Sequence, residues 1–249
     1  MGKAKRRKGE AKPAASAPKP AAAPGSAPAR PGPLAAILDG ARALVFDLEG
    51  VLVSTDKLKY ESYRRALDRL GTDLSFKFYK TLIGLSRMAT CQAIVDHCRL
   101  RVSAKELADL REAEQPAVFA ERGVEVVAAA RKLLAVLPRE RFKLGLVSSS
   151  TRDRVSRALE VMDFDFDAVV SGEGLRPKPS PDVYLQCFKE LGVRAAETVI
   201  FEDSENGVAA AVAAGACCVA VPAEVTQGQD FSEADLRIGS LNEVRELLV

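Results

Sequence analysis

The stretch VFDLEGVLVST, residues 45–55, carries an apolar run straight into two carboxylates, Asp47 and Glu49, and a turn glycine, Gly50. Ending a buried strand on charge costs hydration unless a partner offsets it. Similar apolar runs recur along the chain. ALVFD (43–47), KLGLVS (143–148), DAVVS (167–171), TVIFED (198–203) and CCVAV (217–221) each read as a short buried strand. Between them RDRVSRALEVM, SPDVYLQCFKELG and SENGVAAAVAAGA place apolar residues at helical spacing.

This alternation predicts right-handed βαβ crossovers and hence an α/β fold, a Rossmann-like parallel sheet with helices on both faces. Residues 56–122 break the pattern, because YESYRRALDRLG, RMATCQAIVDHCRL and AKELADLREAEQPAVF are helical almost throughout. They are expected to form a helical cap inserted after the first strand, leaving 34–55 and 123–249 as the core.

At 249 residues, 47% hydrophobic and 28% charged, the chain can bury one substantial core. Its longest apolar run, 208–221, is Ala-rich, broken by Gly215 and too short for a bilayer. Five cysteines suggest neither a disulfide framework nor C-x-x-C pairs, and no apolar signal core follows Met1, so a reducing, cytoplasmic setting is expected. Residues 1–33 differ in kind. KAKRRK at 3–8 precedes an Ala/Pro/Ser/Gly tract, a composition that cannot pack a core and predicts a disordered basic tail. Eight basic residues against Glu10 give that tail +7, so the formal total of +2 leaves −5 on the remainder. An anionic surface, an import receptor with a nuclear address, and plain solvation all remain open as its purpose.

In open parallel sheets the ligand crevice lies beyond the carboxyl ends of the strands. Asp47, Ser148, Glu202 and Asp203 all stand at such ends, and Lys178 precedes another helix in RPKPSPD. Clustered carboxylates ask for a divalent cation, and oxygen ligands suit Mg²⁺. A hydroxyl and an ammonium beside them suit a phosphoryl group. Singly, each residue also has an ordinary role. Asp47 is a common turn former, Ser148 to Thr151 are common helix N-caps, and Lys178, Glu202 and Asp203 fit solvated loops.

Taken in order, DLEGVL, LGLVSSS, KPSPD and FEDSENG resemble the four motifs of the haloacid dehalogenase superfamily, within it the β-phosphoglucomutase-like branch with a helical cap. The resemblance spans about 34–249. It implies a phosphatase acting on a small phosphorylated metabolite such as a sugar phosphate. Asp47 would be the nucleophile, Glu49 the general acid/base, and Ser148 and Lys178 the phosphate-binding pair. Mg²⁺ would be held by Asp47, the backbone carbonyl of Glu49 and Asp203, with Glu202 near it. In the cap, GLSR supplies Gly84, Ser86 and Arg87, and Arg87 with Ser149 would contact the rest of the substrate; a solvated helix-start Arg is the other reading of Arg87. Glu49 replaces the Asp usual in this branch, and Ser54 and Lys59 stand where it has Asp and His. A phosphomutase, or an idle member of the fold serving as a binding protein, therefore stays open as an alternative. The basic run Lys57, Lys59, Arg64, Arg65 and Arg69 is expected to be a solvated face, and His97 and Cys98, adjacent on one helix, do not face each other.

Overall fold

The computed structural model describes residues 32–83 and 85–249; the tail up to residue 31 and Gly84 lie outside the described residues. A short helix α1 (Pro33–Asp39) precedes β1 (Ala43–Asp47) and a two-residue strand β2 (Val53–Ser54). Four helices follow, α2 (Asp56–Asp68), α3 (Phe76–Lys80), α4 (Arg87–Cys98) and α5 (Ala104–Arg122), and the chain returns through β3 (Glu125–Val126). Then come α6 (Ala128–Leu134), β4 (Lys143–Ser148), α7 (Arg152–Met162), β5 (Ala168–Ser171) and α8 (Asp182–Leu191). A 3₁₀ turn (Ala195–Glu197) leads into β6 (Thr198–Glu202), α9 (Glu205–Ala213), β7 (Cys217–Ala220), β8 (Leu236–Arg237) and α10 (Asn242–Glu246).

The six-stranded sheet runs β5-β4-β1-β6-β7-β8, with every neighbouring pair parallel. β1 is central. From β1 the chain builds outward through β4 and β5, then crosses to β6 on its other side, so the order reverses around β1 and the crevice opens at its carboxyl end. Alternation within each strand feeds two hydrophobic layers. Leu44, Phe46, Leu144, Leu146, Val199 and Phe201 meet α6 and α7 on one face. Ala43, Val45, Val147, Ile200 and Cys218 meet α8 and α9 on the other. Burial on both faces is why these strands read as unbroken apolar runs. Phe46 and Phe201 stack across the β1–β6 seam at 4.9 Å.

The helices of 56–122 gather a third cluster of their own around Tyr63, Leu67, Leu74, Tyr79, Ile94 and Leu107. Their ends are capped locally. Ser86 caps α4, and Ser103 with Glu106 forms a reciprocal capping box on α5. β2 and β3 pair antiparallel, Val53 opposite Val126, so this segment leaves and re-enters the core at one place. No helix among the described residues is long and apolar enough to cross a membrane. At the other end of the core α1 takes in Pro33, which the sequence assigns to the tail; the fixed φ of proline suits a first helical turn, and Leu34 and Leu38 anchor that turn in the core.

Candidate active site

Asp47 closes β1 opposite Val147 of β4, while Ser148 and Glu202 close the strands on either side. Beyond Asp47 the backbone folds into a tight turn. The N–H groups of Leu52 and Val53 both donate to the Leu48 carbonyl, at 3.0 and 2.9 Å, and Gly50 N–H donates to the Val53 carbonyl at 2.7 Å. Gly50 has φ +95°, and a Cβ there would lie 2.0 Å from Asp203 Oδ2. Glycine supplies the left-handed conformation and lets the turn close onto the carboxylate that follows β6. Gly207, inside α9 and without a positive φ, makes room for Glu202 by its missing side chain alone: a Cβ would lie 2.0 Å from Oε2.

Lys178, from the loop before α8, reaches into this corner with its side chain 7% exposed. Its Nζ donates to Asp47 Oδ1 and to Glu202 Oε1, each at 2.5 Å. Glu202 is fully buried and richly satisfied. Oε1 also accepts from the Tyr184 hydroxyl at 2.5 Å, and Oε2 accepts from the N–H groups of Asp203 and Ser204 and from the Ser204 hydroxyl, at 3.0, 3.4 and 3.2 Å. Five donors make Glu202 an anchor for Lys178. They occupy oxygens that a role as metal ligand would need. Asp47, Glu202 and Asp203 nevertheless each bring a carboxylate oxygen within 4.8 Å of the others.

The electrostatics match this crowding. Burial pushes the Asp47 carboxyl up to about 7, against the opposing pull of Lys178. Burial, together with the charges of Glu202 and Asp47, holds Asp203 well above the usual carboxylate range. Burial alone would lower Lys178, but the carboxylates of Asp47 and Glu202 outweigh it and keep the ammonium above its ordinary value. Two buried carboxylates under-supplied with positive charge form a donor set that fits a hard divalent cation.

Glu49 belongs to a second, half-buried group. Lys59 Nζ donates to its Oε2 at 2.6 Å and Ser150 Oγ to its Oε1 at 3.0 Å. Burial acts to raise Glu49, but Lys59, Ser150 and the more distant Arg154 prevail and hold its carboxyl below the ordinary value. Lys59 thus turns inward, whereas Arg64 pairs with Glu61 and Asp73, Arg65 with Glu121, and Arg69 with the buried Glu114. The expected solvated face therefore loses one member, because the ammonium gains a buried carboxylate partner.

Ser148 is buried, and its Oγ accepts the Ser150 N–H at 3.0 Å. Ser149 is exposed, and Ser150 supplies the hydroxyl that meets Glu49. Thr151 is the N-cap residue of α7 but makes no side-chain capping bond. Arg87 opens α4, half exposed and paired with Glu112 at 2.6 Å. His97 stacks on Phe78, with ring centroids 3.6 Å apart. No local sequence pattern marks Lys59, Ser150, Tyr184 or Arg154 as site residues. Tyr184 occupies an apolar position of a helical pattern, and nothing local marks it as the partner of a carboxylate on another strand.

The model of the family described as “Haloacid dehalogenase-like hydrolase” matches residues 44–221. Protein CbbY of Rhodobacter capsulatus is 31% identical over 222 residues, covering 81% of this chain and 94% of that protein. The phosphorylated carbohydrates phosphatase of Thermotoga maritima is 28% identical over 176 residues, covering 70% of this chain and 81% of that one. Among solved structures, a HAD family hydrolase from Deinococcus radiodurans with bound phosphate and sodium aligns with a TM-score of 0.67 and 25% identity, over 84% of this chain and 98% of that one.

Proposed function

Since the chain belongs to the haloacid dehalogenase-like hydrolase family, we propose that it hydrolyses a small phosphorylated metabolite, sugar phosphate-like in kind, through a phosphoenzyme formed on Asp47. The observation that carries this reading is the shared ammonium of Lys178, 2.5 Å from both Asp47 and Glu202, beside Asp203 and the buried hydroxyl of Ser148. Asp47 attacks phosphorus as the carboxylate, and the alcohol leaves. Lys178 and Ser148 take the phosphoryl oxygens; Glu202 fixes Lys178 where Asp47 needs it. Mg²⁺, held by Asp47, Asp203 and the Glu49 carbonyl, would supply charge that keeps the buried carboxylates ionised and neutralises the phosphoryl group. Water then attacks the acyl phosphate.

Glu49 accepts the proton of that water, a role suited to a carboxylate whose ionised form Lys59 and Ser150 favour. Donating a proton to the leaving alcohol asks for the opposite state, so Lys59 must first release it. Lys59 rides on α2, and we read residues 56–122 as a cap whose movement makes and breaks this contact. The test is turnover of phosphorylated sugars and polyols with and without Mg²⁺, beside Asp47→Asn. Activity should need the ion and vanish in the variant while its far-UV spectrum stays unchanged. Turnover that survives chelation or the substitution would end this reading.

A further inference from the structure

The two outer strands of the parallel sheet differ in how they are protected. β8 is two residues long, too short to template another strand. β5 is longer and holds neither Lys nor Pro, residues that commonly blunt a free edge. Among the described residues no strand lies beyond it. Ala168 and Val170 pack into the layer shared with α8, while Val169 is 36% exposed. The edge lies between two helices, since α7 packs on one face of the sheet and α8 on the other. A trench of about 520 Å³ opens there, with Val155 and Leu159 of α7 along one wall, Gln186 and Glu190 of α8 along the other, and Val169 and Val170 between them. A second hollow of about 320 Å³ shares Leu159 and Val169 and extends the trench over Phe164 and Phe166.

The rim of this surface is acidic. Glu160, Asp163, Asp165, Glu173 and Glu190 line the two hollows against one cation, Arg152. All five are exposed, and among the described residues none of their carboxylates forms an ion pair. Arg139 shows which chemistry suits the place: its guanidinium lies over the Phe164 ring, 5.4 Å from the centroid, and donates to the Asp165 carbonyl and the Asp167 carboxylate. We propose that the free edge of β5 is a docking surface for an extended, basic segment of another protein, which adds to the sheet as a further strand between α7 and α8. The backbone of such a segment pairs with the outer side of β5, its alternate side chains turn to α7 and to α8, and its Lys and Arg side chains meet the acidic rim. A second copy of this chain is a poorer occupant. Two β5 strands related by a twofold axis pair antiparallel and bring the same five carboxylates together from both sides. None of these residues takes part in the chemistry proposed above.

Fluorescence anisotropy of a capped, labelled heptapeptide, Lys-Lys-Val-Thr-Val-Lys-Lys, titrated with the full chain tests this. The peptide should bind, and its counterpart Glu-Glu-Val-Thr-Val-Glu-Glu should bind at least ~10-fold more weakly. N-methylation of the three central residues keeps every charge but removes the ladder donors, and should also cost ~10-fold or more. In the protein, Val169→Lys, a charge placed on the exposed edge, should weaken binding several-fold. The pair Glu160→Lys with Glu190→Lys should shift the preference toward the acidic peptide. Both changes fall on exposed side chains, and turnover and the far-UV spectrum should stay as in the parent chain. Binding that the N-methylated peptide retains in full, or that neither variant alters, overturns strand addition at β5. A dimer of the chain in sedimentation that Val169→Lys dissociates assigns the edge to a second copy and overturns the separate partner.

Discussion

At the level of single residues, the departure at position 49 is a matter of geometry more than acidity, since Glu and Asp differ little in intrinsic pKa. The extra methylene lets the carboxyl span from the β1 turn to Ser150 on one side and Lys59 on the other. Glu49→Gln should slow hydrolysis of a sugar phosphate by roughly 10²- to 10⁴-fold. The loss should be smaller for p-nitrophenyl phosphate, whose leaving group hardly needs a proton; equal losses on both would remove Glu49 from leaving-group protonation. Gly50 makes a second test. With φ +95° and Asp203 Oδ2 2.0 Å from any Cβ, Gly50→Ala should destabilise the fold by about 1–3 kcal/mol in urea titration and depress Mg²⁺-dependent turnover. Wild-type values of both would mean that the turn has room to relax. That Asp47, Ser148 and Glu202 close strands, with Asp203 directly after Glu202 and Lys178 in the loop before α8, was readable from the apolar runs and the motifs around them. Lys59, Ser150 and Arg154 were not. Their importance arises from meeting residues 10, 101 and 39 positions away in the chain, and side-chain meetings of that range leave no local pattern.

At the level of elements, the five long strands were legible because burial on both faces writes continuous apolar runs, and the helices because one face of each is buried. β2, β3 and β8 escaped. Each is two residues long, too short for period-two alternation to register, and each is fixed by its neighbour across the ladder. The 3₁₀ turn before β6 shows how a short element is held by charge. Glu197 accepts from the Arg194 N–H, from Arg194 Nη2 and from Arg42 Nη1, at 3.1, 3.0 and 3.2 Å. The Arg194 contacts lead in pulling its carboxyl down to about 2 from an ordinary 4.5. A depressed carboxyl stabilises the fold above its unfolded value and loses that contribution as pH falls through the folded one. Glu197→Gln should therefore lower the Tm at pH 7 and flatten the decline in Tm between about pH 4.5 and 2. A decline as steep as in the parent chain would assign the acid sensitivity to other carboxylates.

For the whole molecule, the basic tail and the folded part make separate demands. Residues 1–30 hold the excess of Lys and Arg, while the described core begins with α1, whose Leu34 and Leu38 join the hydrophobic layer beneath β1. A chain beginning at Pro31 should keep the Tm and the small-substrate turnover of the full chain. A lower Tm would mean that the tail contributes to the fold. The ribbon of Val53 against Val126 has a consequence of a different order. A segment that departs and returns on adjacent rungs can lengthen, shorten or be replaced without altering the gap that the flanking chain must close, and loop-closure entropy changes only slowly with its length. Descent can therefore rework the four inserted helices as a cassette while Asp47, Ser148, Lys178 and Asp203 keep their places.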